Sequence, residues 1–295
     1  MPTLILINPA AGRKMSPDKL SGIVAAKFKE EGEDFIIKVP PTPADWDAAV
    51  HTAPENGFDK ILAAGGDGSV HLSLQSMDFE KLSLGIIPAG SGNDIYRAFG
   101  IPMDITSALD NYFAGEEIVD VGEAVGRYFL NTAGCGLDTW TVEIKNKSTG
   151  WLARNYIFLF LKIIRALKPL DLEIDIDGNT LERRAYWAVA ANNGSIGGGM
   201  KITPDADMRD GLLDVLIIGD VSKAEMIWRI PQTFKGTHVG HPKIEIIRGR
   251  NVTINSAQPI PCAIDGELHG HTPIWIKLHH RKLHLRGKLK KRVHP

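Results

Sequence analysis

Three short loops hold the residues best suited to chemistry. They read Asn8-Pro9-Ala10-Ala11-Gly12, Gly65-Gly66-Asp67-Gly68-Ser69 and Pro88-Ala89-Gly90-Ser91-Gly92-Asn93-Asp94. Each follows a short apolar run of strand type and precedes a helix pattern. Glycine lets backbone N–H groups approach an anion closely, and the helix that follows presents its positive end. Ser69 and Ser91 add hydroxyls. Strand ends of an open parallel sheet lie on one edge, where ligands bind. One such loop alone is an ordinary turn, but three in succession describe a polyphosphate cradle. No GxxxxGK[ST] string occurs, and no GxGxxG opens the first helix, so neither a Walker loop nor a standard dinucleotide fold is expected. The cradle therefore calls on Mg²⁺ for positive charge. Asp67, Asp94 and Asp120 are the carboxylates that could organise it, directly or through water.

The elements that must position these loops alternate over the first ~125 residues, at a size typical of one domain. Strands are expected at 4–7, 35–39, 60–64 and 82–87, with helices at 16–31, 44–52, 69–77, 93–99 and 105–113. Ser16, Pro17 and Gly32 punctuate the first helix as cap, first turn and stop. Such alternation implies right-handed βαβ units on a parallel sheet. After Asp120 the texture changes. Segments 127–133, 170–177, 181–191, 212–218, 243–248, 251–255, 260–264 and 273–286 read as strands separated by turns, with few helices between them. The expected fold class is an N-terminal α/β domain followed by an antiparallel β-sandwich or distorted barrel. The expected boundaries are 1–125, 126–280 and a strand and basic tail at 281–295.

The chain has 295 residues, 43% of them hydrophobic and 23% charged, which excludes disordered and collagen-like classes. The start, Met1 to Ile7, reads as a strand rather than a signal peptide. Asn155 to Leu167 is an apolar helix pattern, too short to cross a bilayer. It suits a buried core helix or one lining an apolar pocket or touching lipid. Cys135 and Cys262 are far apart in sequence and form no metal motif, in keeping with a reduced cytoplasmic protein. The formal net charge of −1 conceals an asymmetry. Residues 269–295 carry eight of the 34 Lys and Arg and none of the 35 acids. That tail is either a solvated end or a patch for an anionic leaflet. Five histidines lie from His269 to His284; His269 and His271 straddle Gly270 at a spacing that could suit a metal, while alternating positions on exposed strands are the commoner explanation.

NPAAG, GGDGS and PAGSGND, in this order, resemble the diacylglycerol kinase catalytic domain family. Among its members the chain is most similar to the soluble bacterial lipid kinases related to diacylglycerol, ceramide and sphingosine kinases. GGDG is shared with NAD kinases and 6-phosphofructokinases, whereas PAGSGND discriminates. The resemblance continues through Asp120, Asn131-Thr132-Ala133-Gly134, Pro204 to Gly211, and Ile264-Asp265-Gly266-Glu267. It implies an NAD kinase/phosphofructokinase-like α/β domain and a β-rich lipid-binding domain, with the final strands returning to the first domain.

The implied reaction moves the γ-phosphoryl group of ATP, with Mg²⁺, onto a lipid hydroxyl, most readily diacylglycerol to phosphatidic acid. Asn8, Pro9, Gly12, Gly65, Gly66, Asp67, Gly68, Ser69, Gly90, Ser91, Asn93 and Asp94 match the nucleotide loops, and Thr42 a further nucleotide contact. A catalytic carboxylate is implied in the Asp-Gly-Glu segment, at Asp265 or Glu267, together with Asp67. A second, structural Mg²⁺ is implied at Asp210, completed near Asp207 and Leu212. Ser69 and Ser91-Gly92 stand where relatives commonly carry threonine. The implied partners are a lipid with a free hydroxyl and the surface of an anionic membrane, with a homodimer left open and no nucleic acid. The competing readings are an NAD kinase or other small-molecule kinase, and a non-catalytic nucleotide or lipid sensor on the same fold.

Overall fold

Nine elements alternate through the first part of the chain: β1 (Thr3–Ile7), α1 (Pro17–Glu30), β2 (Phe35–Lys38), α2 (Pro43–His51), β3 (Lys60–Gly65), α3 (Asp67–Ser76), β4 (Ser83–Pro88), α4 (Asp94–Phe99) and α5 (Ile105–Phe113). Sequence signals set their ends. Ser16 accepts from Lys19 N–H to cap α1, Asp104 accepts from Ser107 N–H at α5, and Thr42 and Asp45 form a reciprocal capping box at α2. The structure is a computed structural model that describes residues 1–11, 15–90, 92–141 and 163–289. The chain divides into two units, Met1–Val119 with Arg281–Pro295, and Asp120–His280.

In the first unit the strands pair in parallel in the order β2-β1-β3-β4. All five residues of β1 are buried, as continuous apolar strands between helical layers require. Phe28 of α1 is fully buried and packs on the rings of Phe35, Tyr112 and Phe113 at centroid distances of 5.4, 5.5 and 4.9 Å. Two cations of the basic C-terminal stretch are held inside this unit. Lys282 lies 5.0 Å over the Phe79 ring, and Arg286 lies 5.1 Å over Tyr112.

The second part of the chain contains β5 (Glu116–Ala124), β6 (Arg127–Phe129), β7 (Thr132–Gly136), β8 (Leu170–Ile176), β9 (Asn179–Ala191), β10 (Ser195–Ile196), β11 (Met200–Lys201), β12 (Leu213–Gly219), α6 (Lys223–Lys235), β13 (Ile244–Gly249), β14 (Asn251–Ser256), β15 (Pro261–Ile264), β16 (Glu267–His271) and β17 (Ile274–Arg286). Pairing within the second unit is antiparallel. The long strand β9 organises it: residues 179–185 pair with β8, while Trp187–Ala191 lie between β7 and β12. The core packs Ala133, Cys135, Ile174, Val215, Ile254 and Ile264 from five of these strands. β17 serves both units. Ile274–Lys277 pair with β14, and Leu285 pairs in parallel with Leu84 of β4.

Three sequence expectations change here. α3 starts at Asp67 rather than Ser69, so the acid of the second loop stands in the first turn of the helix. The segment 127–133 is two strands, because the N–H groups of Leu130, Asn131 and Thr132 turn to the Asp265 carboxylate and leave the ladder. The helix α6 was not expected at all. Of the apolar pattern 155–167, only 163–167 fall within the described residues; 163–166 are helical, and Ile163, Ile164 and Leu167 are buried.

Replacing the buried aromatic of α1 tests this core. Phe28→Ala is expected to lower unfolding free energy by about 3–5 kcal/mol, measured by urea denaturation.

Candidate functional site

The three N-terminal loops are tied to one another by side chains and by a steric constraint. Asn8 donates from Nδ2 to Ser69 Oγ at 2.8 Å, and its Oδ1 accepts from Ala10 N–H at 2.8 Å. Ser69 is only 1% exposed. Its hydroxyl thus links the first loop to the second rather than facing solvent, and its carbonyl accepts from Ser73 Oγ, which in turn accepts from Trp46 Nε1. The second and third loops touch through glycines. A side-chain carbon built on Gly66 would lie 3.1 Å from Gly90 Cα, and one on Gly90 would fall inside contact distance of Gly66 Cα. Only two glycines allow the backbones to pass this closely.

Asp67 and its neighbours join the loops further. Asp67 Oδ1 accepts from Ile95 N–H at 2.9 Å, and Tyr96 donates from its hydroxyl to Gly65 O at 2.9 Å. Burial, reinforced by the Asp67 charge, pushes the Tyr96 phenol well above its usual range, so the donor stays protonated. Asn93 adopts a left-handed conformation and donates to Gly90 O at 3.0 Å. Its Oδ1 is buried with no hydrogen-bond partner among the described residues. Asp94 lies 3.6 Å from Arg97, whose guanidinium also donates to Gly92 O. A buried acceptor beside Asp67 and Asp94 is an oxygen-rich donor set of the kind Mg²⁺ takes. The glycine-lined space at the start of α3, at the positive end of that helix, suits phosphate. Pro9 opens a short 3₁₀ turn after β1, and Gly68 lies in the first turn of α3. Gly12 and Ser91 lie outside the described residues. Thr42 is exposed and engaged in the α2 capping box, with its hydroxyl 2.6 Å from Asp45 Oδ2.

In the second unit, Asp265 and Gly266 form the turn between β15 and β16 with φ of 47° and 81°. Asp-Gly suits this pair of left-handed positions. Asp265 and Glu267 then diverge in role. The Asp265 carboxylate accepts three backbone N–H bonds, from Leu130 at 3.1 Å, Asn131 at 2.9 Å and Thr132 at 3.1 Å. Glu267 is exposed, with Oε2 3.6 Å from His269 Nε2. The 130–132 segment is itself anchored. Buried Asn192 donates to Asp120 O and Leu130 O, and buried Asn193 to Leu130 O and Asn131 Oδ1. The sequence analysis singles out neither Asn192 nor Asn193. The signal available was two amides directly after a long apolar strand, where buried polar groups need partners.

Asp120 is fully buried. Its Oδ1 lies 2.8 Å from His280 Nδ1, and its Oδ2 accepts from Gly211 N–H at 2.8 Å. It therefore meets the loop that carries Asp207 and Asp210. At Asp210, Oδ1 accepts from Leu212 N–H at 3.0 Å and Oδ2 pairs with Arg248. Asp207 is held by Arg209, with Nε 3.0 Å from Oδ1, and its carbonyl accepts from Asp210 N–H. Both oxygens of Asp210 are engaged and its charge is balanced by a guanidinium.

Comparison with known proteins gives this arrangement its class. Residues 2–124 match the family model described as the diacylglycerol kinase catalytic domain, and residues 131–286 match the YegS C-terminal NAD kinase beta sandwich-like domain. A diacylglycerol kinase of Bacillus subtilis (strain 168) is 30% identical over 276 residues, covering 91% of this chain and 90% of the relative. A diacylglycerol kinase of Staphylococcus saprophyticus is 29% identical over 277 residues, again covering 91% and 90%. A crystal structure of a diacylglycerol kinase from Bacillus anthracis strain Sterne superposes with a TM-score of 0.74 at 22% identity, covering 97% of both chains. Another crystal structure from that strain gives a TM-score of 0.81 at 24% identity, covering 97% of this chain and 95% of the other. The α/β unit and the antiparallel β unit correspond to the two family models, which together describe a two-domain kinase. The chain belongs to the diacylglycerol kinase catalytic domain family and is a lipid kinase.

One half-buried acid was not singled out by the sequence. Burial pushes the Asp138 carboxyl up to about 6, although Thr139 N–H donates to it at 2.8 Å. A carboxyl raised in the folded state contributes stability that is present below the unfolded pKa and lost as pH rises through about 6. Asp138→Asn is therefore expected to raise stability at pH 7–8 by ~1–2 kcal/mol, discounted for the solvent that still reaches the carboxyl. The gain should vanish at pH 4, and urea titrations at the two pH values measure it. Gly90→Ala must separate the second and third loops, and a displacement near 1 Å costs on the order of 10²-fold. A matching loss in kcat/KM for ATP, in a protein that keeps its circular dichroism spectrum, is the expected outcome.

Proposed function

We propose that this lipid kinase transfers the γ-phosphoryl group of ATP to the free hydroxyl of diacylglycerol, giving phosphatidic acid and ADP. The observation that carries the reading is the contact of Gly66 with Gly90, which joins the two glycine loops at the first turn of α3. The names of the relatives support the choice of acceptor. No helix among the described residues is long and apolar enough to cross a membrane. The enzyme would then meet its lipid at the surface of an anionic membrane.

In this reading the acceptor oxygen attacks the γ-phosphorus as the bond to the β–γ bridging oxygen breaks, and the hydroxyl proton passes to a carboxylate. Glu267 is the assigned base. It is exposed, whereas the oxygens of Asp265 are taken by three backbone N–H groups. Asp265 is the positioning residue that fixes the turn ahead of Glu267. Loop amides at the start of α3 and the glycine-lined backbone hold the phosphates. Asp67, Asp94 and Asn93 Oδ1 would hold Mg²⁺, which when bound neutralises charge on the phosphate oxygens. Asp67 also keeps the third loop in place through Ile95 N–H. The transition state is loose, so positioning and charge neutralisation are the main contributions these residues make.

γ-Labelled ATP and Mg²⁺ incubated with a lipid panel, with products separated by chromatography, tests the reading. Labelled phosphatidic acid is expected; label on NAD or a sugar phosphate with none on lipid would overturn it. Glu267→Gln is expected to lower kcat by ~10²–10⁴-fold with unchanged thermal stability. Asp265→Asn should lower kcat and thermal stability together, because one of the two oxygens that accept from the 130–132 backbone becomes an amide donor. Asp67→Ala should abolish turnover.

A further inference from the structure

The helix α6 is amphipathic with its more hydrophobic side chains turned outward. None of its thirteen residues is buried. Met226 and Ile230 pack on the cluster of Ile163, Ile164, Leu167, Tyr186 and Val221. The opposite side carries Ile227, Trp228, Pro231 and Phe234, at spacings i, i+1, i+4 and i+7 that place them on one face. Trp228 is 72% exposed, Phe234 50% and Ile227 39%. Scattered exposed apolar residues are normal, but an apolar stripe with a solvent-facing tryptophan marks an interaction surface.

Charge indicates what meets the stripe. Lys223 and Lys235 are exposed at the two ends of α6, and Lys201 of β11 is exposed beside Gly236 at its C-terminus. Lys223 Nζ donates to Arg165 O at 2.6 Å, which brings the exposed Arg165 segment to the N-terminal end. The nearby acids are engaged elsewhere. Glu225 bonds His241 at 2.7 Å and lies 3.6 Å from Arg229, Asp220 lies 3.6 Å from Arg184, and Asp205 also has a partner. An aromatic and aliphatic face bordered by lysines and lacking a free acid is the composition of a helix that lies in a bilayer interface. Its indole sits at headgroup level and its lysine stems reach back to phosphate.

We propose that α6 is the membrane-docking element of this enzyme: Ile227, Trp228, Pro231 and Phe234 enter the headgroup–acyl boundary of an anionic bilayer, with Lys223, Lys235 and Lys201 on lipid phosphates. The inference rests on the lipid-kinase reading above and names the surface through which the enzyme reaches a substrate dissolved in the membrane.

The test compares wild type with Trp228→Ser/Phe234→Ser and with Lys201→Glu/Lys235→Glu. All four positions are exposed, so both variants should fold. Partition onto phosphatidylcholine–phosphatidylglycerol vesicles is measured by sedimentation without nucleotide. Quenching of tryptophan by brominated lipid is read in parallel. Activity is assayed on diacylglycerol in those vesicles and on a short-chain diacylglycerol dispersed as monomers. Each variant is expected to bind vesicles at least ~10-fold more weakly and to lose activity on vesicles while keeping kcat on the monomeric acceptor. Bromolipid quenching should fall with the loss of Trp228. Unchanged vesicle partition and quenching in the first variant would overturn the proposal. So would conversion of a dimer to a monomer by that variant, since a second copy would then cover the face. Vesicle binding through α6 in an enzyme that phosphorylates neither diacylglycerol would reject the acceptor assignment and leave the docking surface standing.

Discussion

The first unit is built around a distance. Gly66 and Gly90 bring two backbones closer than any side chain allows, and much of the surrounding hydrogen bonding holds that approach in place. Asn8 reaches Ser69, Asp67 holds Ile95 N–H, Tyr96 braces Gly65 O, and Asn93 braces Gly90 O. Each bond contributes only ~1 kcal/mol on its own. Their combined effect is to remove motion from loops that must hold an anion in one place. A parallel sheet supplies the frame, since neighbouring strands β1, β3 and β4 release their loops from the same edge.

The second unit solves a similar problem with amides. Asp265 is fixed by three N–H groups of a segment that is itself fixed by Asn192 and Asn193. A polar network of this kind stabilises one arrangement only when most of its members have partners. The result is a braced turn followed by an exposed glutamate.

The parts of this arrangement legible in the sequence are those where a residue type has one physical meaning. Glycine–aspartate strings after apolar runs gave the loops and the alternating domain, and Ser16, Thr42 and Asp104 marked helix starts. Asp265 and Glu267 could not be told apart, because Asp-Gly is the default hairpin turn and the donors to Asp265 lie more than 130 positions away. Asn192 and Asn193 drew no attention because burial is invisible in a string. α6 escaped notice for a different reason. Pro231 stands inside it, and a proline within an apolar run argues against a helix. Ser222, Glu225 and Gly236 did carry the start and stop signals.

β17 carries a consequence for biosynthesis. Its last residues supply the strand beside β4, yet they are made only after the whole of Asp120–His280 has left the ribosome. Until then the nascent first unit exposes β4 as an open parallel edge, a template for pairing with other chains. The ring of Tyr112 likewise waits for Arg286, and Phe79 for Lys282. The nucleotide-loop unit, first in the order of translation, is thus the last to be completed.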